Sequence, residues 1–289
     1  MQYNSKNLHG ILWFVLGLLI SSLGDVMMKY LGSNVHPYQI VFLRFLFATI
    51  TLLPWFYIKS SSFVTTRIHL HFMRGLLLFG GISFWCMGLN VVKIALATTI
   101  NFTIPIFVAV LAVIFLKEKF NIFRLSATLL GFVGIVVAMN PAAADFNAVS
   151  MSLLLSALMF ASLDVINKRF VTDESTISML FYSNVFTTLL SAVPAFYVWV
   201  PVNYHDLFLF LLLGIVANLI LYCLLKSFAI VDASAVAPYR YIELLFSSSL
   251  GYLFFNEILD SSILSGAVVI IIATLLIIYE GLLKKKIRT

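Results

Sequence analysis

"SLGDVMMKY" (residues 22–30) and "SLDVINKRF" (residues 162–170) are two versions of one segment. Asp25 stands 139 residues before Asp164, and Lys29 stands the same distance before Lys168. The same ungapped shift relates Phe42 to Phe181, Gly75 to Gly214, Glu118 to Glu257 and Ser126 to Ser265. Matches scattered over so many segments at one offset mark an internal repeat, with halves at residues 1–142 and 143–289.

Composition says what kind of repeat. Of 289 residues, 62% are hydrophobic and 10% charged, and the mean hydropathy is +1.07. A soluble domain needs more polar surface than that, whereas apolar runs of about 20 residues cross a bilayer. Cutting the chain at charged and turn-forming stretches places spans near residues 9–31, 38–58, 70–91, 95–116, 121–139, 148–170, 176–199, 206–228, 233–255 and 262–283. The first run is too long for a signal-peptide core and lacks a small-residue cleavage site, so it reads as a retained span. Each half holds five spans, an odd number, so the second half enters the membrane upside down. The expected fold is an all-α integral membrane protein: ten transmembrane helices as two inverted-topology repeats of five, in one membrane domain. Such repeats place a transport site near mid-depth, where the halves meet.

The net charge of +6 would suggest nucleic acid in a soluble chain, but its distribution follows the membrane. With the N-terminus in the cytoplasm, the inner segments hold Lys59, Arg67, Lys117, Lys119, Arg124, Lys168, Arg169 and Lys226, and the tail adds Lys284, Lys285, Lys286 and Arg288. The outer loops hold Lys29 and Lys93. That bias puts both termini inside, with the tail against anionic lipid and no nucleic-acid role. Cys86 and Cys223 sit in apolar runs, and the histidines lie at or near loops. No phosphate-binding loop, metallopeptidase helix or nucleophile elbow is present. The expectation is a non-enzyme with no catalytic residues, cofactor or metal.

Charged residues inside spans are costly and should face protein or water. In "AVAPYRYIELLFSSSLGYLFF" (residues 235–255), Arg240 and Glu243 share a helix face with Tyr239, Ser247 and Gly251. They read as pocket-lining groups; the alternative is a buried salt bridge that fixes helix register. Helical rise puts Asp25 level with Arg44, and Asp164 level with Arg240. These four read as structural or gating charges, together with Lys29 and Lys168. Trp85, Asn101, Tyr182, Asn218, Tyr222 and Tyr241 complete the candidate substrate-binding set; Asn101 stands where Arg240 falls under the shift. Pro105, Pro194 and Pro238 can open backbone carbonyls within spans. "LKEKF" and the Glu257 loop read as solvated ends, and the glycines as close helix contacts.

Ten spans in two five-span halves, with the "FLKEKF" end of the fourth, resemble the EamA branch of the drug/metabolite transporter superfamily. "GDVMMKYLG", "FLRFLF", "RGLLLFGGISFW", "LDVINKRFV", "STISMLFYS", "VDASAVAPYRYIEL" and "GAVVII" are similar to S-adenosylmethionine uptake transporters of obligate intracellular bacteria. The resemblance implies S-adenosylmethionine as substrate, exchanged for S-adenosylhomocysteine by alternating access at a bacterial inner membrane. Glu243 would then offset a sulfonium or ammonium charge. Tyr239, Tyr241 or Trp85 would supply an aromatic face, and Arg240 or Arg44 a fork for the carboxylate. An exporter of amino acids or other amphiphilic metabolites, proton-coupled through Glu243 or an Asp, is the competing expectation.

Overall fold

The structure, a computed structural model, describes residues 5–58, 65–115, 129–130, 133–134, 137, 148–231, 236, 239–240, 242–258, 261–262, 264–269 and 271–272. Helices of the first half are α1 (Ser5–Leu31), α2 (Pro37–Ile58), α3 (Ile68–Leu89), α4 (Ile94–Asn101) and α5 (Ile104–Phe115). Those of the second are α6 (Ala148–Phe170), α7 (Thr176–Tyr197), α8 (Tyr204–Ile230) and α9 (Ile242–Phe255). Six of these, α1, α2, α3, α6, α7 and α8, are long and apolar enough to span a bilayer; Ile94–Val108 and Ile242–Phe255 are shorter apolar stretches. The expected spans at 121–139 and 262–283 lie largely outside the described residues.

Local chemistry sets the helix ends. Ser175 caps α7 by accepting from the Ser178 amide, and Asn203 caps α8 by accepting from the Asp206 amide. Both satisfy an amide that the first turn leaves open. Pro37 opens α2, where a missing N–H costs nothing.

The expected continuous span at 95–116 is instead broken at Phe102–Thr103, between α4 and α5. Pro105 explains the break, because its ring clashes with the carbonyl four residues earlier, at Asn101. The freed turn closes with shorter bonds, from the Phe102 amide to Thr99 O and from the Thr103 amide to Ile100 O. In the second half Tyr239 and Arg240, the shifted equivalents of Ile100 and Asn101, form a 3-10 turn just before α9.

Packing between the halves comes in matched pairs. α1 lies along α8 and α6 along α3; α2 meets α8 and α7 meets α3; α2 and α7 meet each other. Glycines set two of these approaches. A Cβ on Gly75 would fall 2.5 Å from Phe186 Cβ, and one on Gly214 would fall 2.7 Å from the Ala48 amide and 2.8 Å from Phe47 Cβ. Phe47 and Phe186 are themselves partners under the 139 shift, so the two contacts are one contact made twice.

Two buried apolar clusters repeat the same relationship. Val26, Ile40, Cys86, Leu89, Val92 and Ala97 belong to one; their shifted equivalents Val165, Met179, Leu225, Phe228, Val231 and Val236 belong to the other. Outward faces carry exposed leucines such as Leu12, Leu16, Leu19 and Leu23, as a hydrocarbon solvent requires. Near the start of α3 the halves are also tied by Arg74, a fully buried side chain. Its Nε donates to Asn167 Oδ1 at 2.8 Å and its Nη1 to Met179 O at 2.9 Å.

Candidate functional site: a charged cavity between the halves

A cavity of about 140 Å3 lies between the two apolar clusters, room for about ten waters. Every helix contribution follows a face. α1 presents Phe14, Gly17, Leu18, Ser21, Asp25 and Met28 at steps of three and four residues. α2 adds Arg44 and Phe45, α3 adds Trp85, and Asn101 projects from the α4–α5 break. From the other half come Phe160 and Asp164 of α6, Asn184 of α7, Arg240 of the 3-10 turn and Glu243 of the first turn of α9. A carboxylate at a helix N-terminus meets the positive end of the helix dipole.

The two aspartates, equivalent by sequence, are treated differently. Asp164 Oδ2 holds Arg240 Nη2 at 2.7 Å, and the Arg240 guanidinium lies over the Phe14 ring at 5.6 Å. Asp25 has no such partner among the described residues. Its Oδ1 accepts from Trp85 Nε1 at 2.7 Å, while its buried Oδ2 has no hydrogen-bond partner among the described residues. The expected Asp25–Arg44 pair is not formed: Arg44 Nη1 instead contacts Met28 Sδ at 2.9 Å and makes no ion pair among the described residues. Glu243 lies beside Ser21 of α1, and its Oε2 has no hydrogen-bond partner among the described residues. Arg44 Nε, Arg240 Nε and Asn101 Oδ1 are open as well. Buried polar groups normally find partners; here five side chains that line one void each keep one polar atom without a partner among the described residues.

Of the expected pocket residues, Trp85, Asn101, Arg240 and Glu243 line the cavity, and so do Asp25, Arg44 and Asp164. Tyr182, Tyr222 and Asn218 do not. Tyr182 packs against His71 with the rings tilted, 5.0 Å between centres, and Tyr222 meets Trp13 edge-on at 5.8 Å. Asn218 acts one step back: its Oδ1 accepts from Asn184 Nδ2 at 2.6 Å, and its Nδ2 donates to Ala48 O at 2.7 Å. Asn184, outside the expected set, lines the cavity; its sequence signal is a lone amide inside an apolar run. Tyr239 packs against an apolar cluster beside the cavity, and Tyr241 lies outside the described residues.

Lys29 and Lys168 stand at opposite ends, off the cavity. Lys29 Nζ donates to Val92 O at 2.6 Å, and Lys168 Nζ to Val231 O at 3.2 Å, the shifted equivalent. Lys29 also pairs with Glu257 at 2.6 Å, whose Oε2 accepts the Ile94 amide at 2.9 Å. The Glu257 loop is therefore not a solvated end: its carboxylate joins α1, α4 and α9. Gly251 leaves the room, since a Cβ there would come within 2.8 Å of Glu257 Oε2.

The EamA-like transporter family profile matches residues 8–140 and again residues 148–279. The chain belongs to the EamA-like transporter family. It is 47% identical over 272 residues, 94% of each chain, to an S-adenosylmethionine uptake transporter of Rickettsia bellii. A riboflavin transporter of Vibrio cholerae is 26% identical over 281 residues, 94% of each chain. One solved crystal structure, 17% identical, superimposes with a TM-score of 0.71 over 99% of both chains, a likeness of fold alone. Membership makes this chain a multi-span membrane protein of a transporter family, and supports transport over catalysis as the use of the cavity.

Proposed function

We propose that this EamA member imports S-adenosylmethionine across a bacterial inner membrane in exchange for S-adenosylhomocysteine. The observation that carries the reading is the charge inventory of the cavity: Asp25, Asp164 and Glu243 against Arg44 and Arg240. S-adenosylmethionine carries a sulfonium, an ammonium, a carboxylate and a flat aromatic base. A carboxylate needs a guanidinium, which Arg44 offers; the two cationic centres need carboxylates, which Asp25 and Glu243 offer. Trp85, Phe45 and Phe160 supply aromatic faces. Likeness to the Rickettsia transporter over nearly all of both chains favours this cargo over other zwitterions.

Exchange has a chemical rationale. S-adenosylhomocysteine differs from S-adenosylmethionine by one methyl group and one charge, so a seat built for the shared parts accepts both. We read residues 1–142 and 143–289 as inverted repeats whose rocking opens the cavity to each side in turn. Both termini lie in the cytoplasm on this reading, Lys29 and Glu257 close the outer end, and Lys168 stands at the inner end.

Purified protein in liposomes tests the reading. Labelled S-adenosylmethionine should enter only when unlabelled S-adenosylmethionine or S-adenosylhomocysteine is inside. Uptake driven by a pH gradient into vesicles without internal substrate would replace exchange by proton coupling. No uptake of S-adenosylmethionine under either condition would refute the cargo and favour export of another amphiphilic metabolite.

A further inference from the structure

The repeat is broken at one point of chemistry. Under the 139-residue shift Arg240, which neutralises Asp164, corresponds to Asn101. Arg44, the arginine of the first half, corresponds to Ser183. Asp25 therefore lacks the arginine that its counterpart has, and Asn101 beside the cavity presents an open Oδ1 in its place. With Asp164 and Arg240 closed on each other, the ionisable groups left for a guest are Asp25, Glu243 and Arg44, two acids against one guanidinium. S-adenosylmethionine carries one net positive charge at neutral pH; S-adenosylhomocysteine carries none.

We propose that Asp25, left without an arginine by Asn101, is the residue that makes the cavity prefer S-adenosylmethionine to S-adenosylhomocysteine. The inference rests on the cargo proposed above. Asp25 is buried, and its Oδ2 has no hydrogen-bond partner among the described residues. Trp85 donates to the other oxygen, and its indole, which also lines the cavity, offers an aromatic surface to a sulfonium. Once the guest fills the cavity and displaces its water, little screens the two charges from each other. The adenosyl and amino-acid parts, common to both molecules, do not discriminate; one carboxylate does. This asymmetry suits an exchanger that must load one member of the pair and release the other.

Two variants approach the same balance from opposite sides. Asp25→Asn keeps an oxygen for Trp85 and removes the charge; Asn101→Arg supplies the missing guanidinium. Equilibrium binding of labelled S-adenosylmethionine and labelled S-adenosylhomocysteine to purified protein reads out the ratio of their Kd values. In each variant the preference for S-adenosylmethionine should fall by roughly tenfold or more, mainly through weaker binding of the cation. A wild-type preference that survives within about twofold in a folded variant overturns this inference and leaves the cargo standing. A wild-type protein that binds neither molecule overturns both. If Asp25→Asn is not recovered as folded protein, the Asn101→Arg ratio decides alone.

Discussion

Arg240 and Asp164 meet at 2.7 Å across the boundary between the 3-10 turn and α6, in a cavity wall that little water reaches. Removing one partner of a buried pair leaves the other charge stranded, at a cost of about 3–5 kcal/mol. Arg240→Ala should therefore lower the thermal midpoint of detergent-solubilised protein and its level in the membrane. The double variant Asp164→Asn/Arg240→Gln strands no charge and should recover much of that loss. Equal stability of the single and double variants would show that the pair carries no structural load.

Arg240→Lys should fold and transport poorly. An ammonium reaches one carboxylate oxygen but cannot reproduce the planar fork, and it leaves nothing at the open Nε direction. Uptake at wild-type rate would reduce Arg240 to a simple positive charge.

Glu243→Gln should lower S-adenosylmethionine uptake by roughly tenfold or more while membrane levels stay normal. The amide keeps the Ser21 contact and the place in the first turn of α9, so the fold has no reason to change. Wild-type transport by this variant would remove Glu243 from the cation seat.

Gly214→Ala and Gly75→Ala should each destabilise the protein by about 1–3 kcal/mol, the usual penalty for overpacking. At Gly214 the obstacle is backbone, at Ala48 and Phe47, which cannot turn aside as a long side chain would. Denaturation followed by tryptophan fluorescence measures both.

Glu257→Gln should loosen the Lys29 end of the bundle, because Lys29 loses its ion pair and the Ile94 amide its charged acceptor. A cysteine placed at Met28 should then react faster with a membrane-impermeant thiol reagent added outside. Native Cys86 and Cys223 are buried and contribute little background. An unchanged labelling rate would show that the pair does not hold the end closed.

Membrane insertion, the repeat and the charged residues at its centre were all legible in the chain. Hydropathy runs and an ungapped shift are properties of linear order, and a charge inside a span announces itself wherever it sits. Helical periodicity also showed that Asp25 shares a face with Ser21. It could not show what that face meets. Asp25 bonds Trp85, 60 residues away, and makes no ion pair among the described residues with the arginine at its own depth. Tyr182 turns to His71, while Asn184, two residues on, enters the cavity. Two residues on a helix differ by more than half a turn, and an apolar run does not say which of the two faces the interior. The Glu257 carboxylate reads as a loop charge in sequence, and only the approach of α1 and α4 encloses it.

The amino-acid order thus determined that this chain lives in a bilayer, that it was built twice, and which side chains would be expensive there. Tertiary structure alone decided which aspartate is neutralised and which stays open. That choice depends on how closely the helices of one half approach those of the other. Such approaches are set by glycines such as Gly75 and Gly214, by the break at Phe102 and by the turn at Tyr239, contacts between residues far apart in the chain that no local pattern encodes.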